Sequence, residues 1–241
     1  MKKFLFTFLL TITLFNQMRA DNIFLSDFKT TNGAIPFDRI QTDDYEPAIL
    51  QAIKQHEQEV LNIANQAEAP SFENTILALE YSGKMLNRVL GVFYPMLSAN
   101  ADDALIEVSN RISPIVSQHS NFVTLNEKLW LRIKTVYDNF DETKYSPEDK
   151  RLLEKVYRSF VRSGAQLQGE AKEQYKKLTL QLTDLTLKFS QNCLKDKPLH
   201  ELWLKKEDLA GLPETVVEAA AADAKQKGKE GEYLITLYYP S

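Results

Sequence analysis

SPEDKRLLEKVYRSFVRSG, residues 146–164, reads as one complete helix with both ends marked. Ser146 offers a hydroxyl at the N-cap, and Pro147 takes the first helical position, where a missing N–H is no loss. Glu148 and Asp149 place negative charge where the helix dipole favours it. Ser163-Gly164 closes the segment, the glycine supplying a left-handed stop. Working back towards the N-terminus, a helix is expected from about Asn126 to Asp138. Another starts at Asn100-Ala101-Asp102-Asp103 and carries Leu105, Val108, Ile112, Ile115 and Val116, with a kink expected at Pro114. Before it, Ala69-Pro70 breaks the chain and Ser71 opens a helix whose apolar positions are Ile76, Leu79, Met85, Leu86, Val89 and Phe93. The first helix is expected to take Thr42 as N-cap, with Asp43, Asp44 and Glu46 near its start. Pro47 is tolerable near the first turn, and Ile49, Ile53, Val60 and Ile63 form one face to about Ala64.

Working forward, Tyr175, Leu178, Leu182, Leu185 and Phe189 repeat at the 3-4 spacing of a helical hairpin or coiled-coil seam. Residues 42–194 therefore read as a helical bundle or array. After Pro198 the character changes: Leu199 to Leu204 reads as a short strand, Glu214 to Lys227 as an alanine-rich helix, and Tyr233 to Tyr239 as a second strand. Two strands alone make a poor sheet, and an exposed strand edge is normally covered or paired, so this last segment reads as interrupted. The expected fold class is mainly α, with a small strand–helix–strand segment at the C-terminal end. The expected divisions are residues 1–20, 21–197 and 198–241.

Composition agrees with a globular chain. Of 241 residues, 44% are hydrophobic and 26% charged, and the 25 aromatics supply material for a sizeable core. The single Cys193 rules out an intramolecular disulfide and any multi-cysteine metal site. A net charge of −4 gives no reason to expect a nucleic-acid surface. Residues 1–20 have the layout of a secretory signal peptide. Lys2 and Lys3 precede an uncharged run from Phe4 to Phe15, too short to span a bilayer, and Arg19-Ala20 leads into the polar Asp21-Asn22. Removing that segment takes away three basic residues and no acid, leaving a charge of −7. An exported protein with no stable membrane anchor is expected.

Chemistry is sparse. His56-Glu57 and His200-Glu201 each begin the zinc-peptidase pattern HExxH, which works because residues four apart share a helical face and can both reach one metal. The fourth position holds Val60 in one case and Leu204 in the other. His119, between Gln118 and Ser120, has no carboxylate beside it in sequence, and all three histidines read as surface or structural. There is no GxGxxG, no phosphate-binding loop and no GxSxG. Cys193 reads as a small half-apolar helix residue. Asp43/Asp44 and Asp102/Asp103 read as helix-start charges, and the lysines of 225–229 as a helix C-terminus. The 175–189 stripe reads as core or partner surface. No residue of the chain is assigned a catalytic, cofactor-binding or metal role.

The sequence nonetheless resembles a known family. Ile35-Pro36-Phe37-Asp38 followed by Asp44-Tyr45-Glu46-Pro47-Ala48 is similar to the lead-in to the first helix of the thimet oligopeptidase/oligopeptidase A zinc peptidases. Ser71-Phe72-Glu73-Asn74-Thr75-Ile76 with Ala78-Leu79-Glu80, Leu97-Ser98-Ala99-Asn100, Arg162-Ser163-Gly164-Ala165 and Asp208-Leu209-Ala210-Gly211-Leu212-Pro213 resemble the same family, in the same order. Within it the likeness is to the bacterial peptidyl-dipeptidase (dipeptidyl carboxypeptidase) branch.

The resemblance implies a mostly helical, two-lobed enzyme with a substrate channel. Zinc would be held by the HExxH histidines and a downstream Glu, and dipeptides would be released from the C-termini of oligopeptides. This chain resembles the N-terminal part only, so it is expected to wall the channel, bind no zinc itself and be inactive alone. Its implied partners are oligopeptide substrates and a catalytic region beyond Ser241. Two other readings stay open: a non-catalytic secreted helical protein that binds peptides or a partner, and an endo-acting oligopeptidase of the same family.

Overall fold

The structure is a computed structural model, and it describes residues 22–237. The signal-peptide reading of residues 1–20 and the end of the expected last strand, Tyr238-Tyr239, lie outside them. The chain is mainly α. Helices α1 (Thr42–Asn65), α2 (Lys84–Ala99), α3 (Asp103–Thr124), α4 (Glu127–Asp138), α5 (Pro147–Arg162) and α6 (Gly169–Asp196) precede β1 (Glu201–Leu204), α7 (Glu214–Gln226) and β2 (Tyr233–Thr236). Two compact units divide at Thr183/Asp184, within α6.

The N-termini of α1, α3, α4 and α5 are set by side chains that the sequence offers. On α5, Ser146 Oγ accepts from the Asp149 N–H at 3.1 Å while the Asp149 carboxylate takes the Ser146 N–H. This is a reciprocal capping box. Gly164 follows the last turn at φ +80°. Asp102 caps α3 through the Leu105 N–H, and Asn126 caps α4 through the Leu129 N–H. The first helix is capped one residue earlier than Thr42: Gln41 is the N-cap, because the Asp44 carboxylate reaches back to its N–H at 2.8 Å.

The helix expected from Ser71 through Phe93 is in fact two elements. A single wide π-type turn, Phe72–Leu77, runs into one α turn at Ala78–Glu80. The chain then stops at Tyr81-Ser82-Gly83, where Gly83 takes φ +66° before α2 begins. A left-handed residue cannot be accommodated inside a helix, so the uniform apolar spacing bridged a real break.

Two apolar clusters fill the first unit. One joins the N-terminal half of α1 (Tyr45, Ile49, Ile53) to Phe24, α2 (Leu86, Val89, Phe93) and α3 (Leu105, Val108, Ile112). The other joins the C-terminal half of α1 (Val60, Ile63) to Phe72 and Ile76, α4 (Leu129, Trp130, Ile133) and α5 (Leu153, Phe160). The predicted α1 face is thus buried throughout, but it serves two cores in succession.

The expected packed seam on α6 is not packed. Among the described residues no α6 side chain is buried, and Leu178, Leu182, Leu185 and Phe189 are 55, 64, 62 and 70% exposed. Of the stripe only Tyr175 is partly covered among the described residues. In the second unit β1 and β2 pair antiparallel, Glu201 opposite Thr236 and Leu204 opposite Tyr233. Leu234 is buried, as are Ala220 and Ala224 of α7. Lys225 lies in the last turn of α7, and Lys227 donates to Glu201 at 2.8 Å.

Candidate functional site

His56 and His119, 63 residues apart in sequence, meet in the first unit. His56 follows Ile53 and precedes Val60 on the inner face of α1, so it falls between the two apolar clusters. His119 occupies the matching place on α3, between Ile112 and the partly buried Phe122. His56 Nδ1 and His119 Nε2 are 2.9 Å apart, and the rings cross at 59°. His56 Nε2 lies 3.1 Å from Ser82 Oγ, and Ser82 Oγ donates to the Leu79 carbonyl at 2.7 Å. Two carboxylates from α1 flank the pair. Glu59 accepts the Gly83 N–H at 2.7 Å, and Glu57 Oε1 is 3.6 Å from His119 Nδ1. At that distance Glu57 acts through its charge, and the buried Nδ1 has no hydrogen-bond partner.

The turn at residues 81–83 is shaped to this pair. A Cβ on Gly83 would come within 2.9 Å of the His56 ring, so glycine is required there by space as well as by its positive φ. Burial pushes the His56 pKa below the usual histidine value, and His119 beside it pushes the same way, against Glu59 and Glu57. Burial also lowers the His119 pKa, with Glu57 opposing. Both rings are therefore held neutral at neutral pH.

The order Ser82–His56–His119–Glu57 has the residue types of a serine nucleophile with a base and an orienting acid. The geometry does not serve that chemistry. Ser82 is buried, its proton is committed to the Leu79 carbonyl, and the neighbouring Gly83 N–H is taken by Glu59 rather than left to stabilise an oxyanion. Zinc fits no better. The facing imidazole nitrogens are spent on each other and on Ser82, and among the described residues no group of three or more His, Cys, Asp or Glu is arranged to hold a metal.

The other singled-out residues lie apart from the pair. His200 Nε2 is 3.0 Å from Asp196, and Cys193 is free and exposed on α6. A groove of about 490 Å³ adjoins the pair through Phe122, which stacks on His119, and is lined by Gln118, Asn121, Leu125, Lys172, Lys176 and Leu180. Its two lysines are already engaged, Lys172 with Glu127 and Lys176 with Glu173.

No family model matches the chain. Relatives do. It is 33% identical over 202 residues to the dipeptidyl carboxypeptidase of Escherichia coli K12, covering 83% of this chain and 30% of that protein. The chain is thus similar to dipeptidyl carboxypeptidases and, less closely, to oligopeptidases A. The dipeptidyl carboxypeptidase of Salmonella typhimurium is 34% identical over the same length, again 30% of the relative. Oligopeptidase A of Haemophilus influenzae is 29% identical over 210 residues, 87% of this chain and 30% of that protein. The chain thus spans about 30% of the length of the curated relatives that it matches. Among the described residues the pair His56–His119, with Ser82, brings titratable side chains together inside the first unit. Sequence reasoning treated each histidine singly and missed the pairing. A signal was present: the spacings 53/56/60 and 112/116/119 put both rings on core faces.

Proposed function

We propose that the chain is the N-terminal segment of an exported zinc metallopeptidase that releases C-terminal dipeptides from oligopeptides. In this reading it walls the substrate channel, and the residues that bind zinc and activate water lie outside it. The observation that carries the reading is the 33–34% identity to dipeptidyl carboxypeptidases over most of this chain, against 27–29% for the bacterial oligopeptidases A. That difference favours a dipeptide-releasing enzyme over an endo-acting one. Two further features support a segment of something larger: coverage of about 30% of the relatives, and an apolar stripe on α6 left in solvent. Zinc in such an enzyme lowers the pKa of its bound water to about 7, and nothing in residues 22–237 replaces that agent.

The test begins at the gene. Sequencing past the Ser241 codon is expected to show an open frame that reaches an HExxH helix. The protein from that whole frame is expected to release dipeptides from the C-terminus of an oligopeptide and to lose activity on chelation. A frame without HExxH would sink the reading and leave a binding protein. Internal cleavage products would replace it with an endopeptidase.

A further inference from the structure

The hydrogen-bond directions along the histidine pair are fixed by chemistry. A carbonyl only accepts, so the single Ser82 proton goes to Leu79 O, and Ser82 Oγ must then accept from His56 Nε2–H. A neutral His56 carrying its proton on Nε2 presents a bare Nδ1, and His119 Nε2–H donates to it. His119, also neutral, is left with a bare Nδ1 pointing towards Glu57.

That arrangement has room for one more proton. A proton from solvent taken up at His119 Nδ1 leaves every bond of the chain intact and faces the Glu57 carboxylate. A second has only His56 Nδ1 to occupy, and there N–H would oppose N–H across 2.9 Å. The charged groups acting on the pair are Glu57 and Glu59, both from α1. The 78–83 turn contributes the Ser82 hydroxyl, and α3 contributes His119 itself with Phe122 stacked on it. Glu59 is tied to the Gly83 N–H, so opening the pair also disturbs the turn. The pair lies between the two apolar clusters and joins α1, α3 and the turn.

We propose that His56 and His119 form an acid-sensitive seam in the helical unit, closed with no added proton or one on His119 and opened by a second on His56. Acid then loosens α3 and the 81–83 turn from α1 without first melting either apolar cluster. This holds whether or not the peptidase reading does.

Nitrogen-15 NMR of the two rings in the 241-residue chain tests it, read beside amide hydrogen exchange. Above neutral pH both rings are expected as Nε2–H tautomers. On acidification His119 is expected to protonate first. Exchange at residues 81–84 and 116–121, corrected for its intrinsic pH dependence, is expected to rise at least tenfold only as His56 takes its proton. Glu57→Gln is expected to lower the His119 pKa while leaving the His56 tautomer unchanged. An Nδ1–H tautomer on His119, a His119 pKa unmoved by Glu57→Gln, or exchange at 81–84 indifferent to His56 protonation would each overturn the proposal.

Discussion

Arg132 is a buried cation on α4 whose two terminal nitrogens donate to the groups around it, while its buried Nε has no partner. It donates to the Glu68 carbonyl at 2.9 Å, to Asn74 Oδ1 at 2.8 Å and, at 3.4 Å, to the Gln66 carbonyl. Asn74 Oδ1 also accepts the Ser71 N–H and the Thr75 hydroxyl, so one side chain holds the connection between α1 and the π-type turn. Arg132→Met keeps most of the apolar stem and strands these acceptors, and should cost about 3 kcal/mol in urea unfolding. A cost below about 1 kcal/mol would mean that water replaces the guanidinium.

The histidines make a second prediction at the same scale. Their folded pKa values lie below the unfolded value near 6.5, so their contribution to stability is complete above that pH. It is lost as pH falls below about 6.5 towards the depressed folded values. The urea midpoint should fall between pH 7.5 and 5.5, and a flat profile there would contradict the burial argument. Helical periodicity shows that both rings face inward. It cannot show that they face each other, because the contact spans 63 residues and depends on how α1 and α3 cross.

Elements were legible where a local signal decides them. Ser146, Asp102 and Asn126 each cap the helix that follows, since a cap is made within four residues. Ser146→Ala should therefore cost about 1 kcal/mol, read as a lowered urea midpoint. The stop at residues 81–83 was not legible, because the apolar spacing on its two sides is in phase and hides the break. What enforces it is tertiary: Glu59 on the Gly83 N–H, and the His56 ring against the place where a Cβ would sit.

A matched pair of substitutions isolates this effect. Gly83→Ala should destabilise by about 1–2 kcal/mol from backbone strain alone, more if the ring cannot move. Gly91→Ala, at a helical position of α2 with nothing within 4 Å, should stabilise by about 0.5–1 kcal/mol. Effects of the same sign would show that φ and the ring contact at Gly83 are not what sets the break.

At the scale of the molecule, the 3-4 repeat on α6 correctly announces a helix and says nothing about what covers it. Leu178 and Leu182 lie in the first unit, more than half exposed, on a helix with no buried residue among those described. Burying a leucine is worth about 2 kcal/mol, so leaving a row of them in water forgoes a substantial stabilisation unless other chain covers it. The relatives are longer, this sequence spanning about 30% of each. The double substitution Leu178→Gln/Leu182→Gln should then have opposite consequences in two contexts. In the 241-residue chain it should change unfolding free energy by less than about 0.5 kcal/mol and reduce the binding of a hydrophobic dye. In a protein continuing into a catalytic region packed on that face, the same change should cost about 2 kcal/mol per leucine, lowering the urea midpoint and peptidase activity together. If the longer protein tolerates the substitutions as well as the short chain does, α6 remains open in the whole molecule. The stripe would then be a surface for the substrate or for another protein.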